Sequence, residues 1–106
     1  NQRYILVLLV FMVLDIITGV IKAILTKELK SSVFREGLLK KVLEVVIVIL
    51  GFALDWASSL SYIGAGCVIA LVLMEAWSII ENIEDYVPIP QVLKDFLDKA
   101  KQTNNN

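Results

Sequence analysis

The side chains of interest in this chain are carboxylates set into apolar sequence. Glu75 stands in an apolar run, with Ser78 and Asn82 three and seven positions on, so a helix carries all three on one face. Asp15, Thr18, Gly19 and Lys22 fall at i, i+3, i+4 and i+7 and share a face in the same way. Between these two groups, Gly37, Lys41, Glu44, Val48, Gly51 and Asp55 recur at alternating steps of four and three, a stripe of small and charged positions. A carboxylate in hydrocarbon is costly and needs a partner, a proton or water. Three roles fit Asp15, Glu44, Asp55 and Glu75. They line a water-filled lesion made by many copies, or they form the ion relay of a small channel or transporter subunit. Alternatively, they make packing contacts in a structural membrane adaptor, for example Asp15 or Glu75 with Lys41. The first two are favoured. Three short helices cannot enclose four carboxylates without leaving polar atoms towards lipid, so a homo-oligomer is expected under each.

Catalysis has little to work with. The sequence has no histidine, no glycine-rich phosphate loop and no clustered metal ligands. The single cysteine, Cys67, sits among apolar neighbours and reads as a packing residue. The expectation is a protein that is not an enzyme, with no catalytic residues, cofactor or metal. A net charge of −1 gives no reason to expect a nucleic-acid partner.

The elements that must position these groups are helices in a bilayer. At 106 residues, 58% hydrophobic and a mean hydropathy of +0.75, one small domain carries more apolar surface than it can hide from water. The expected fold is an all-α integral membrane protein, a single membrane domain over residues 1–106, with three transmembrane helices, a C-terminal amphipathic helix and an oligomeric assembly. The spans are expected at about 4–25, 38–60 and 62–80, each near the ~20 residues that cross the hydrocarbon. Residues 45–49 are β-branched throughout, but a lone strand cannot satisfy its backbone in lipid, so helix is expected there too. Gly19 with Ala23, and the group Gly64, Ala65, Gly66 and Ala70, allow close helix approach.

The connections set the orientation. Residues 26–37 form a basic loop with Lys27, Lys30 and Arg35, followed by Lys40 and Lys41, and Ser31 or Ser32 is the expected N-cap of the next helix. The excess of positive charge places this loop and the C-terminus in the cytoplasm, and the uncharged serine turn near residues 57–62 outside. Trp77 and Tyr86 suit the membrane–water boundary, and Pro88 and Pro90 stop the third helix. Residues 91–101 alternate apolar and charged faces, an amphipathic helix with Pro90 near its first turn, lying on the inner membrane surface or on a neighbouring copy. Residues 102–106 read as a disordered polar tail.

The motifs, taken in order, resemble the phage-lysis and toxin-secretion holin family. An Asp-x-x-Thr-Gly motif is matched by Asp15, Thr18 and Gly19. A serine-containing loop leading to a glycine and a lysine pair is matched by Ser31 or Ser32, Gly37, Lys40 and Lys41. An Asp near the far end of the next span is matched by Asp55. Glu-x-x-Ser-Ile-x-Glu-Asn is matched by Glu75, Ser78, Ile79, Glu81 and Asn82, and Pro-x-Pro by Pro88 and Pro90. Members of that family commonly carry an apolar segment ahead of the Asp-x-x-Thr-Gly helix, which here is absent or truncated at Asn1. They often place a glycine before Pro-x-Pro, where this chain has Tyr86 and Val87. The resemblance implies a protein of the bacterial cytoplasmic (inner) membrane that assembles with itself in the lipid bilayer and opens it. A murein-degrading endolysin, or in relatives a large exported toxin, is then the functional partner.

Overall fold

The computed structural model describes residues 2–105, which form four helices: α1 (Gln2–Leu25), α2 (Ser31–Ser58), α3 (Ile63–Ile83) and α4 (Gln91–Asn105). The protein is all-helical. α3 is the central element. It packs along α1 on one side and α2 on the other, while α1 and α2 touch little and α4 meets only α3.

Leu8 and Met12 from α1 pack on Val68 and Leu71 from α3, with Val48 and Phe52 of α2 against them. This core is small. Among the described residues six hydrophobic side chains are buried, whereas thirty-four large ones are exposed. Such an apolar exterior suits hydrocarbon better than water. α1 from Arg3 to Leu25 and α3 from Ile63 to Ile83 are each long and apolar enough to cross a membrane. α2 does not meet that measure, because Lys41, Glu44 and Asp55 interrupt its apolar run. Those three, with Val48, Gly51 and Phe52, are the parts of α2 turned from solvent, and its other faces expose Val, Ile and Leu.

The connections are built from specific groups. α1 ends on Lys27, which takes the left-handed conformation (φ 59°), with Lys27 N–H donating to Ile24 O and Glu28 N–H to Ala23 O. This is the doubly bonded helix ending that glycine usually supplies. At the other end of the bundle, α2 and α3 approach backbone to backbone. A Cβ on Gly51 would lie 3.0 Å from Gly64 Cα, and one on Gly64 would lie 2.6 Å from Phe52 Cγ. Only glycine fits at Gly64 without moving the Phe52 ring.

Several boundaries differ from the sequence expectation. The basic connection is residues 26–30 rather than 26–37, since α2 already starts at Ser31 and carries Arg35, Lys40 and Lys41. Its N-cap is Lys30, without a side-chain bond, rather than Ser31 or Ser32. α3 stops at Ile83, ahead of both prolines. Tyr86 and Val87 N–H close a turn onto Ile83 O, so the chain leaves the helix before Pro88 forbids it. Pro90 lies just before α4 and its carbonyl accepts from Leu93 and Lys94 N–H, beginning that helix. α4 extends to Asn105, so residues 102–105, expected as a disordered tail, are helical, while Asn1 and Asn106 lie outside the described residues.

Candidate functional site

The polar faces of three helices meet at one junction. Lys41 of α2 is its centre: Nζ donates to Asp15 Oδ2 of α1 at 2.6 Å and to Glu75 Oε1 of α3 at 3.1 Å. The Lys41 side chain is 16% exposed, that of Asp15 12% and that of Glu75 2%, so both ion pairs are largely withdrawn from the surroundings. Asn82, two turns beyond Glu75, completes the α1–α3 side. Its Nδ2 donates to Asp15 Oδ1 at 3.0 Å, to Asp15 O at 3.3 Å and to Thr18 Oγ1 at 3.0 Å. Thr18 in turn donates back to Leu14 O at 2.8 Å, which fixes its hydroxyl oxygen as the acceptor for Asn82. Ser78 lies on the same side, beside Asp15 and Asn82. Gly19 leaves the room: a Cβ there would lie 3.6 Å from Asn82 Nδ2, ordinary contact distance.

Glu44, one turn beyond Lys41 on α2, approaches Glu75. Glu44 Oε2 is buried without a hydrogen-bond partner, whereas Glu75 Oε2, though it accepts no hydrogen bond, lies 3.1 Å from Lys41 Nζ. Two carboxylates thus share a single ammonium, and Glu44 beside them leaves one buried oxygen unpaired. Lys22, on the same face of α1 as Asp15, makes no ion pair among the described residues.

Asp55 is not part of this junction. It lies fourteen residues along α2 from Lys41, about 21 Å at 1.5 Å per residue. There its carboxylate accepts from Ile63 and Gly64 N–H, both at 2.8 Å. The first turn of α3 is therefore capped by a side chain from the preceding helix, and Tyr62 at the N-cap position gives no side-chain bond. Sequence reasoning did not foresee this role. The signal was available in an Asp placed just before a short turn and a glycine-rich helix start. Trp77 and Tyr86 are 36% and 44% exposed near the end of α3, and Pro88 and Pro90 stand in the connection to α4. Among the described residues no group of three or more His, Cys, Asp or Glu could hold a metal ion. The arrangement can hold three helices together through charge and hydrogen bonds, and it can release them if Lys41 changes partners.

The bacteriophage holin family model matches residues 1–102. This chain belongs to the bacteriophage holin family. A probable holin of Bacillus phage phi105 is 35% identical over 105 residues, covering 97% of this chain and 78% of that protein. An uncharacterized 14.9 kDa protein of Clostridium perfringens is 40% identical over 101 residues, covering 92% of this chain and 74% of its own length. An uncharacterized Bacillus subtilis protein is 34% identical over 110 residues, covering 98% and 79%. No solved structure matches the chain. Family membership and the two apolar helices make this a membrane protein with a holin role, and point away from an enzyme.

Proposed function

We propose that this holin crosses the bacterial cytoplasmic membrane three times, through α1, α2 and α3, and assembles with copies of itself. The assembly opens a lesion through which an endolysin or a large toxin leaves the cytoplasm. The 26–30 turn, the basic start of α2 and the C-terminal α4 lie on the cytoplasmic side, as the charge of Lys27, Lys30, Arg35, Lys40 and Lys41 favours. α2 reaches about 42 Å at its 28 residues, enough for a tilted span, and Lys41, Glu44 and Asp55 along it face α1 and α3 rather than lipid.

The observation that carries this reading is the junction at Lys41. In a single copy, Asp15, Lys41, Glu75, Asn82 and Thr18 satisfy one another, and the exterior is apolar. That is a closed, membrane-soluble subunit. The same polar faces become the lining of an aqueous lesion once the three helices part. The α1–α2 side is the natural place to part, because α2 packs on α3 and meets α1 little beyond the Lys41–Asp15 pair. The unpartnered oxygen of Glu44 favours rearrangement, since new neighbours in an assembly can satisfy what one copy leaves open.

The test is inducible expression in a bacterium together with a cytoplasmic endolysin that has no export signal, read as culture turbidity. Abrupt lysis only when both proteins are present is the expected result. Loss of membrane potential without endolysin release would indicate a narrow ion-conducting channel or a holin of the small-pore kind. No effect on potential or lysis would leave a structural adaptor.

A further inference from the structure

Because α1 and α2 diverge, a cleft of about 500 Å³ opens between α1, the 26–30 turn and the amino-terminal part of α2. Its floor is the edge of the polar junction, where Asp15, Lys41, Ser78 and Asn82 line it. From Asp15 to the end of α1 at Leu25 is ten helical steps, about 15 Å. In a chain that spans the bilayer, this is the depth of one leaflet, half of the ~30 Å hydrocarbon core. Charged side chains are strung along the whole of that depth rather than gathered at the mouth. Lys30 stands at the turn. Glu36 lies six residues on, about 9 Å along α2, and Lys40 ten residues on, about 15 Å and next to Lys41. All three are exposed, and among the described residues none of them makes an ion pair.

We propose that this cleft is a water-filled vestibule open to the cytoplasm, and that the lesion starts there, with water at Asp15 and Lys41 replacing the contact that holds α1 to α2. The inference rests on the membrane-spanning reading above. The distribution of charge selects the occupant. An acyl chain, or the apolar face of a neighbouring helix, would leave Glu36 and Lys40 unpaired against hydrocarbon. Lysine can reach back towards the headgroups along its stem, but the shorter glutamate cannot. Water satisfies each charge where it stands. At about 30 Å³ per molecule the cleft has room for roughly fifteen waters. They meet polar partners at every level, from Lys30 at the mouth through Glu36 and Lys40 to Asp15 and Asn82 on the floor. The place where the vestibule ends makes it a starting point. Asp15 and Lys41 line it, while their partner Glu75, 2% exposed, does not. Arriving water therefore meets the Lys41–Asp15 pair first, the ion pair that ties α1 to α2. The attraction within that pair falls as the local dielectric rises. Lys41 keeps Glu75, so α2 stays on α3 while α1 is released.

The test places single cysteines in a full chain carrying Cys67→Ala. Ile16→Cys and Gly37→Cys lie in the cleft. Ile17→Cys and Leu39→Cys lie at nearly the same depths on exposed faces outside it, where the parent side chains are 48% and 58% exposed. A thiol reacts as its thiolate, which forms in water and is disfavoured in apolar surroundings. Inside-out membrane vesicles that retain an entrapped dye, and so hold no open lesion, are treated with the impermeant cation 2-(trimethylammonium)ethyl methanethiosulfonate. Modification is read by mass spectrometry of the chain. Ile16→Cys and Gly37→Cys are expected to be modified, and Ile17→Cys and Leu39→Cys to be spared. Sparing of Ile16→Cys along with the lipid-facing pair overturns the proposal, because lipid or another copy then fills the cleft. Modification of the cleft pair only in right-side-out vesicles overturns its opening to the cytoplasm. Equal modification of all four positions marks a chain that lipid does not surround; it overturns the spanning reading, and the vestibule with it. Filling the cleft tests its part in opening. A Cβ at Gly37 meets nothing within 4 Å, so Gly37→Leu adds an apolar side chain there without strain. Lysis with the cytoplasmic endolysin is expected to be delayed at unchanged helicity, while Gly37→Ser, whose small hydroxyl tolerates water, keeps close to the parent schedule. Lysis of Gly37→Leu on the parent schedule overturns the start of the lesion at this cleft.

Discussion

Replacing Lys41 by Met is the most informative single perturbation. It keeps the length of the side chain and its fit along α2, and it removes the ammonium shared by Asp15 and Glu75. Breaking a buried ion pair by deleting one partner costs about 3–5 kcal/mol, because the other charge stays buried and unpaired. The two carboxylates do not suffer equally. Asp15 keeps Asn82 Nδ2 at 3.0 Å, whereas Glu75, 2% exposed, keeps only the neighbouring Glu44. Most of the loss therefore belongs to Glu75, and the low end, about 3 kcal/mol, is expected. The assay is unfolding of the purified chain in mixed micelles with increasing SDS, followed by far-ultraviolet circular dichroism. Adding Glu75→Gln to Lys41→Met removes the stranded charge and recovers part of the loss. A Lys41→Met chain within about 1 kcal/mol of the parent, the level of a surface pair, would refute the reasoning. So would a double variant no more stable than Lys41→Met alone.

Three further outcomes follow from contacts elsewhere. Gly64→Ala places a methyl against the Phe52 ring and is expected to destabilise the same unfolding transition by about 1–3 kcal/mol, with Phe52→Leu in the same chain restoring part of it. Asp55→Ala removes the acceptor for Ile63 and Gly64 N–H. It is expected to cost about 0.5–2 kcal/mol and to speed hydrogen exchange at those two amides while leaving the Lys41 junction protected. Ending the chain after Pro90 deletes α4, which anchors itself through the buried Leu97. Lysis timing is expected to change while carbonate-resistant membrane insertion persists, and loss of insertion would show instead that α4 is needed for folding.

The legible part of this protein was the part that periodicity encodes. Asp15, Thr18, Gly19 and Lys22 share a face because a helix repeats every 3.6 residues, and the same holds for Glu75, Ser78 and Asn82. The stripe from Lys41 to Asp55 likewise marks the side of α2 turned towards its neighbours. Boundaries were less legible. The start of α2 at Ser31 and the end of α3 at Ile83 were set by backbone turns at Lys27 and at Tyr86–Val87 rather than by serine caps or prolines. Lys27 in a left-handed conformation has no sequence signature, since glycine or asparagine is the usual residue there.

By itself, the sequence determined that the chain is helical and apolar outside, and that it carries its charges on particular helix faces. Hydrophobic content and spacing are properties of the chain alone, and in a bilayer a lone apolar segment satisfies its own backbone only as a helix. The tertiary structure decided which faces meet. It gave Lys41 to both Asp15 and Glu75, set Asn82 against Asp15 and Thr18, and sent Asp55 to cap α3 rather than join the junction. The physical reason is that a repeat fixes the angle of a side chain around its own helix but says nothing of how far one helix slides past the next. That register was set by the close approach at Gly51 and Gly64, where two backbones touch and a single methyl would not fit.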